Sequence, residues 1–334
     1  MSSKRWIALG LAFALFFLSI AVSTFTSGAA GQWSGWFAMD DEEVWLEKTI
    51  EKGNGKGKIA VLNVNGVIQE GYDAPSLFET VTYNHRHFLS MLRHASEDPQ
   101  VDGMIIRVNS PGGGVVESAE IHDLILEIQE DYRKPIYVSM ASLAASGGYY
   151  IAAPADKIFA NEATITGSLG VIMQTINVSE LAEKYGVKTE TIKSGPYKDI
   201  MSSMREMTDT ERVILQSMID DSYEKFVDVI ANGRNMERDK VKTLADGRIY
   251  SGKQALELGL VDDLGNMDYV IDVLREDIGR GELDVIKYEV PFSFPGFLTM
   301  TTQNLVLRQQ DPLGLKQLLR YSNSPSLMYL YNMD

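Results

Sequence analysis

Two hydrophobic periods divide most of this chain. The runs IAVLNVNGVI (59–68), GMIIRVN (103–109) and PIYVSM (135–140) are short, apolar and rich in β-branched residues, and they predict strands. HRHFLSMLRHAS (85–96) has apolar residues at 88, 91, 92 and 95, a helical stripe, and VVESAEIHDLILEIQEDY (115–132) predicts a second helix. Further strands are predicted at 157–161, 170–173 and 188–193, with a helix over 179–185 between the last two. From Thr208 the pattern becomes one long helix to Asn235, with apolar positions 213, 214, 218, 219, 226, 229 and 230, acids near its start and Gly233 near its end. Residues 251–265 and 267–279 predict two shorter helices, and 283–290 a closing strand. Strands alternating with helices indicate βαβ units, hence an α/β fold with a mostly parallel sheet.

The two ends depart from this pattern. After Lys4 and Arg5, residues 6–25 carry no charge, and twenty apolar-rich residues can cross the ~30 Å hydrocarbon core of a membrane. The run is long for a secretory h-region of ~7–15 residues, although SGAAG (27–31) offers small residues for cleavage. A transmembrane anchor over 6–27 is therefore expected. With Lys4 and Arg5 before it and Asp40, Asp41, Glu42 and Glu43 after it, residues 1–5 lie in the cytoplasm and the body outside. Residues 28–57, with EKGNGKGK at 51–58, predict a flexible linker, and a folded domain is expected over 58–290. Residues 291–334 form a C-terminal extension without clear periodicity.

Composition narrows the chemistry. The formal charge of −15, from 46 acids against 31 bases, and the lack of any Lys/Arg-rich block argue against a nucleic-acid partner. There is no cysteine, which excludes disulfides, thiolate metal sites and a cysteine nucleophile. The four histidines, His85, His87, His94 and His122, form no HExxH pair, and each is read as a surface residue, so neither a metal nor another cofactor is expected.

Four glycine-rich stretches remain. NSPGGG (109–114) lacks the trailing lysine of a P-loop and the spacing of a dinucleotide fingerprint. It reads either as a tight turn or as bare backbone N–H groups that receive a negative oxygen. ASGGYY (145–150) places Ser146 before two glycines, and TGSLG (166–170) places Ser168 between two more. SGPYKD (194–199) carries Lys198 after a Gly-Pro turn. Each is a turn by default, with a catalytic serine or lysine as the sharper reading.

Taken together and in this order, the four motifs resemble the signal peptide peptidase A family, membrane-anchored serine proteases of bacteria, over residues 58 to about 290 and the N-terminal span. The resemblance implies the crotonase/ClpP-like superfold, with repeated ββα units and a mostly parallel sheet. It assigns Ser146 as nucleophile, Lys198 as general base and Ser168 as the partner that orients the lysine. The backbone N–H groups of Gly113 and Gly147 are then the candidates for the oxyanion hole. It also implies peptide substrates, notably signal peptides left in the membrane, and a homo-oligomeric ring, an octamer by analogy, in which the dyad can be assembled across subunits.

The chemistry is coherent. With no histidine in any motif to take the serine proton, the resemblance gives that task to Lys198, which can perform it only when neutral. That means lowering an amine pKa from about 10.4 by ~3 units, or ~4 kcal/mol, through burial. Asp199 opposes this, since a close carboxylate favours the ammonium form; an extended segment would turn the two side chains to opposite sides. Leu143–Ala145 and the 109–116 turn are the expected lining of the substrate pocket. The alternatives are a non-catalytic membrane scaffold of the same fold and, remotely, acyl-CoA chemistry. SPSLMYLYNMD (324–334) is apolar like the expected substrates, and is read either as entering an active site, as substrate or inhibitor, or as an element docked on the core.

Overall fold

The computed structural model describes residues 45–70, 83–289 and 327–331. The apolar run 6–25 lies outside these, and no helix among the described residues is long and apolar enough to cross a membrane.

The chain order is β1 (Leu46–Glu51), β2 (Lys58–Asn65), α1 (His85–Glu97), β3 (Val101–Ser110), β4 (Gly112–Gly114), α2 (Val115–Asp131), β5 (Ile136–Ala145) and α3 (Gly147–Ala152). It continues through β6 (Lys157–Ala160), β7 (Ile165–Gly167), α4 (Ser179–Lys184), α5 (Asp209–Gly233), α6 (Arg238–Leu244), β8 (Ile249–Ser251) and α7 (Gly252–Leu258). β9 (Asp263–Leu264), α8 (Met267–Ile278), β10 (Asp284–Glu289) and β11 (Met328–Leu330) complete it. The main sheet runs β1-β10-β2-β3-β5-β6-β9, with β7 beside β5 and β8 beside β7. Only β1 against β10 and β7 against β8 are antiparallel in it, so the α/β, mostly parallel expectation holds.

Both faces of this sheet are covered, which explains why its central strands read as unbroken apolar runs. Along β2, Ala60, Leu62 and Val64 join the core under α1, α2 and α3, whereas Ile59 and Val61 pack with Val270, Ile271 and Leu274 of α8. Ile105 of β3 divides from Met104 and Ile106 in the same way.

Several local expectations need correction. β1 lies inside the stretch expected as linker, its partner being the distant β10. Residues 188–193 form no strand, and of 170–173 only Ile172 makes a bridge, to Met328. The NSPGGG glycines, expected as a turn, are a strand paired with β11. His85 is buried, its ring nitrogens 2.7 Å from Tyr83 Oη and 2.7 Å from Glu120 Oε2.

Candidate functional site

Three glycine motifs meet because their strands are neighbours. β3, β5 and β7 run parallel side by side, and their carboxyl ends lead directly into Gly112, Ser146 and Ser168. In open α/β sheets this is the edge where ligands bind. Ser110 Oγ supports the first turn, accepting from the Gly112 N–H at 3.0 Å. Gly112 itself has φ +101°, a conformation that favours glycine.

Ser146 occupies a strained turn between β5 and α3, at φ 53° and ψ −116°. Positive φ is uncommon for a residue with a side chain, and it persists here because the backbone is held on both sides. Its N–H donates to Gly167 O at 2.8 Å, and its own carbonyl accepts from Tyr149 and Tyr150, each at 2.9 Å. The Oγ is buried and has no hydrogen-bond partner among the described residues. Ser168, at φ 50°, is anchored from the other side, its N–H donating to Arg248 O at 2.7 Å.

Gly113 and Gly147 converge on the same space. A Cβ added to Gly147 would lie 3.1 Å from Gly113 N and 2.7 Å from Ser118 Oγ. One added to Gly112 would lie 2.0 Å from Tyr329 O and 2.6 Å from Gly147 N, so bare backbone is what lets the Tyr329 carbonyl approach these N–H groups.

That carbonyl belongs to the C-terminal tail. β11 pairs antiparallel with β4, Tyr329 opposite Gly113. The bonds flanking this pair run from Val115 N to Leu327 O at 3.3 Å and from Tyr331 N to Pro111 O at 2.7 Å. By antiparallel alternation Tyr329 and Gly113 are themselves a hydrogen-bonded couple. On its other edge the tail exchanges bonds with Ile172, Met328 N to Ile172 O at 3.1 Å and Ile172 N to Met328 O at 3.0 Å. The tail is therefore a docked strand, and it lies beside the turn that carries Ser146.

The Tyr329 side chain is fully buried. Its ring centroid lies 4.9 Å from that of Tyr150 and 4.6 Å from that of Phe226, and its hydroxyl donates to Ser222 O at 3.1 Å. The pocket that holds the Tyr329 ring is thus built by α3 and α5. Burial, with Asp123 nearby, pushes the Tyr150 phenol up to about 12, so the pocket wall is neutral at ordinary pH. Pattern reading missed Phe226 because it looks like any other apolar position of a long helix. Tyr150 did carry a signal, standing four residues after Ser146 in the glycine motif.

Lys198 is the residue the single chain does not bring in. It is exposed, on the arm that joins β7 to α5, and it is not a hydrogen-bond partner of Ser146 Oγ. The segment around it is not extended but turned, with Lys198 N donating to Gly195 O at 3.3 Å and Ile200 N to Tyr197 O at 3.1 Å. Asp199 is held instead by Lys193 Nζ at 2.6 Å and by Arg205, Nε at 2.9 Å and Nη2 at 2.8 Å.

Residues 128–280 match peptidase family S49. A protein of Enterococcus faecium that carries the provisional name signal peptide peptidase SppA is 39% identical, over 99% of this chain and 99% of its own. A protein of Synechocystis provisionally named a protease is also 39% identical, over 86% of this chain and 99% of its own. The chloroplastic serine protease SPPA of Arabidopsis thaliana is 31% identical over 68% of this chain and 33% of its own. With a mixed α/β fold, three glycine motifs gathered at one sheet edge and similarity along nearly its whole length, the chain belongs to peptidase family S49 and is a serine protease.

Proposed function

We propose that this serine protease is a membrane-anchored endopeptidase that cuts signal-peptide remnants and other short apolar peptides at the extracytoplasmic face, with Ser146 as nucleophile and Lys198 of a neighbouring subunit as general base. One observation carries the reading: the buried Ser146 Oγ, without a hydrogen-bond partner among the described residues, stands on a strained turn beside two glycine N–H groups, in a cleft where a peptide strand lies.

Substrate adds as a strand to β4, as the tail does. A neutral Lys198 amine accepts the Ser146 proton while Oγ attacks the scissile carbonyl carbon, and the developing oxyanion is met by the Gly113 and Gly147 N–H groups, worth ~2.7–4 kcal/mol per donor in comparable sites. Collapse of the tetrahedral intermediate passes the proton from the lysine to the leaving amine. Water, deprotonated by the same lysine, then hydrolyses the acyl-enzyme. Ser168 orients the amine.

Supply of the lysine by a neighbour is supported by the arm that carries it. Ile176, Leu181, Tyr185, Val187, Ile192 and Tyr197 are all exposed on it. An apolar surface of this kind marks a protein contact, and ring closure of a head-to-tail contact would deliver Lys198 to each Ser146 and remove its hydration, which favours the neutral amine. Anchoring is supported by the uncharged run 6–25, and the substrate class by the name of the E. faecium relative and the apolar tail. The tail is a self-substrate or product: Tyr329 fills the side-chain pocket with its carbonyl at the glycine N–H groups.

The test is complementation. Ser146→Ala and Lys198→Ala are each expected to abolish hydrolysis of an apolar peptide. Co-assembled at equal amounts, the two are expected to recover about a quarter of wild-type activity, since that fraction of randomly mixed interfaces pairs an intact serine with an intact lysine. Unchanged activity in either single variant overturns the dyad. A dead mixture with dead parents, shown by sedimentation to have co-assembled, overturns the shared site.

A further inference from the structure

We propose that Arg205 is a positioning residue for the lysine base: by holding the Asp199 carboxylate from two sides, it keeps the negative charge next to Lys198 neutralised and turned away from the amine. The inference rests on Lys198 being the base.

The need for such a device is built into the chain. Asp199 is the immediate neighbour of Lys198, and the turns at 195–202 do not send successive side chains to opposite sides as an extended strand does. A carboxylate within ~4–6 Å of an amine favours its ammonium form, which is the wrong form for a base. Both Asp199 oxygens are engaged. Oδ2 accepts from Arg205 Nε at 2.9 Å, and Oδ1 accepts from Arg205 Nη2 at 2.8 Å and from Lys193 Nζ at 2.6 Å. A fork onto both oxygens fixes the carboxylate plane as well as its charge.

Arg205 is itself fixed. Its Nη1 donates to Glu211 Oε2 at 2.8 Å and its Nη2 to Glu211 Oε1, and Glu211 is buried in the first turn of α5. Nη2 also donates to the Asp199 carbonyl at 3.0 Å, so the guanidinium ties the lysine turn to the helix start through backbone and side chain together. Lys193 is tied in through Pro196 O at 3.0 Å. The charged groups gathered here are Lys193, Arg205, Asp199 and Glu211, two of each sign. They cancel, and the Lys198 charge is left outside the cancellation. Asp199 thereby anchors the turn without holding a proton on its neighbour.

The experiment is a pH profile of kcat/KM for hydrolysis of an apolar peptide by the full-length assembled protein. Arg205→Gln exposes the Asp199 charge, so the acid limb is expected to move up by about 0.5–1 pH unit and activity at pH 7 to fall about three- to tenfold, recovering at high pH. KM is expected to stay within about twofold. Asp199→Asn in the same protein is expected to bring the limb back to its wild-type position, an outcome a merely structural role does not predict. Should Arg205→Gln fail to assemble by sedimentation, Arg205→Lys carries the test, since it keeps the charge but loses the fork, and a smaller upward shift is expected. An unmoved limb, or a shift that persists in the double variant, overturns the inference. Lys198→Ala separates the two levels: if it stays active the base assignment fails, and if it is inactive while the Arg205 limb is unmoved, only the present inference fails.

Discussion

Tyr329 is stacked on Tyr150, their ring planes 21° apart, so that a tail residue caps the helix that begins just after Ser146. Tail and pocket are therefore coupled by one aromatic contact. Tyr329→Ala removes the ring and with it ~2 kcal/mol of burial, a factor of about 30 in occupancy of the cleft. Hydrolysis of an added peptide is expected to rise, and self-trimming of the tail, read by intact mass, to slow. Ser146→Ala should abolish that trimming altogether; equal tail masses in wild type and Ser146→Ala would refute self-processing.

Gly147 separates oxyanion stabilisation from binding. Its Cβ would press on Ser118 Oγ and stand 3.1 Å from Gly113 N, against the space that the Tyr329 carbonyl occupies. Gly147→Ala is expected to lower kcat by about 10²–10³, with KM for a short peptide little changed, because the lost interaction matters most when the oxygen is charged. A drop confined to KM would argue that these N–H groups only bind substrate.

The elements that could be read from the sequence are those whose own residues decide them. β2, β3, β5, α1, α2 and α5 follow from apolar runs or stripes, and the Ser146 and Ser168 turns fall at strand ends because strand and turn signals are both local. What escaped is decided by distant partners. β4 is three glycines with no side-chain preference for a strand, and it becomes one only through the tail more than 200 residues away. β1 likewise depends on β10, whereas 188–193 pairs with no strand among the described residues. Ser146, Ser168 and the glycines could be placed at one site by topology. Lys198 could not: it lies exposed between β7 and α5 and is no hydrogen-bond partner of Ser146 Oγ.

Glu211 makes the start of α5 sensitive to acid. Its carboxyl is held well below the usual range, to about 2, by the Arg205 guanidinium first and the Thr208 backbone N–H second. A carboxyl with a lowered folded value binds a proton more readily when unfolded, so its stabilisation is complete above about pH 5 and is lost as pH falls from there toward 2. The melting temperature of wild type is therefore expected to drop between pH 5 and 3 more steeply than that of Glu211→Gln. Parallel curves would mean that the Arg205 and Thr208 contacts of Glu211 do not report on folding here.

Ser168 allows hydroxyl and backbone to be tested apart. Ala145 pairs with Gly167 in parallel register, so Ser146 and Ser168 are the next residues of adjacent strands, at φ 53° and 50°. Two neighbouring side chains in the left-handed region each cost on the order of 1 kcal/mol, and such outliers gather where geometry serves a site. Ser168→Gly removes the hydroxyl and relieves the φ cost at once. If the hydroxyl orients the lysine amine, the melting temperature should be unchanged or higher while kcat falls about tenfold or more. Ser168→Ala should lose activity while keeping the strain, and the difference in melting temperature between the two variants measures that strain. Full activity in Ser168→Gly would leave Ser168 as a turn residue alone.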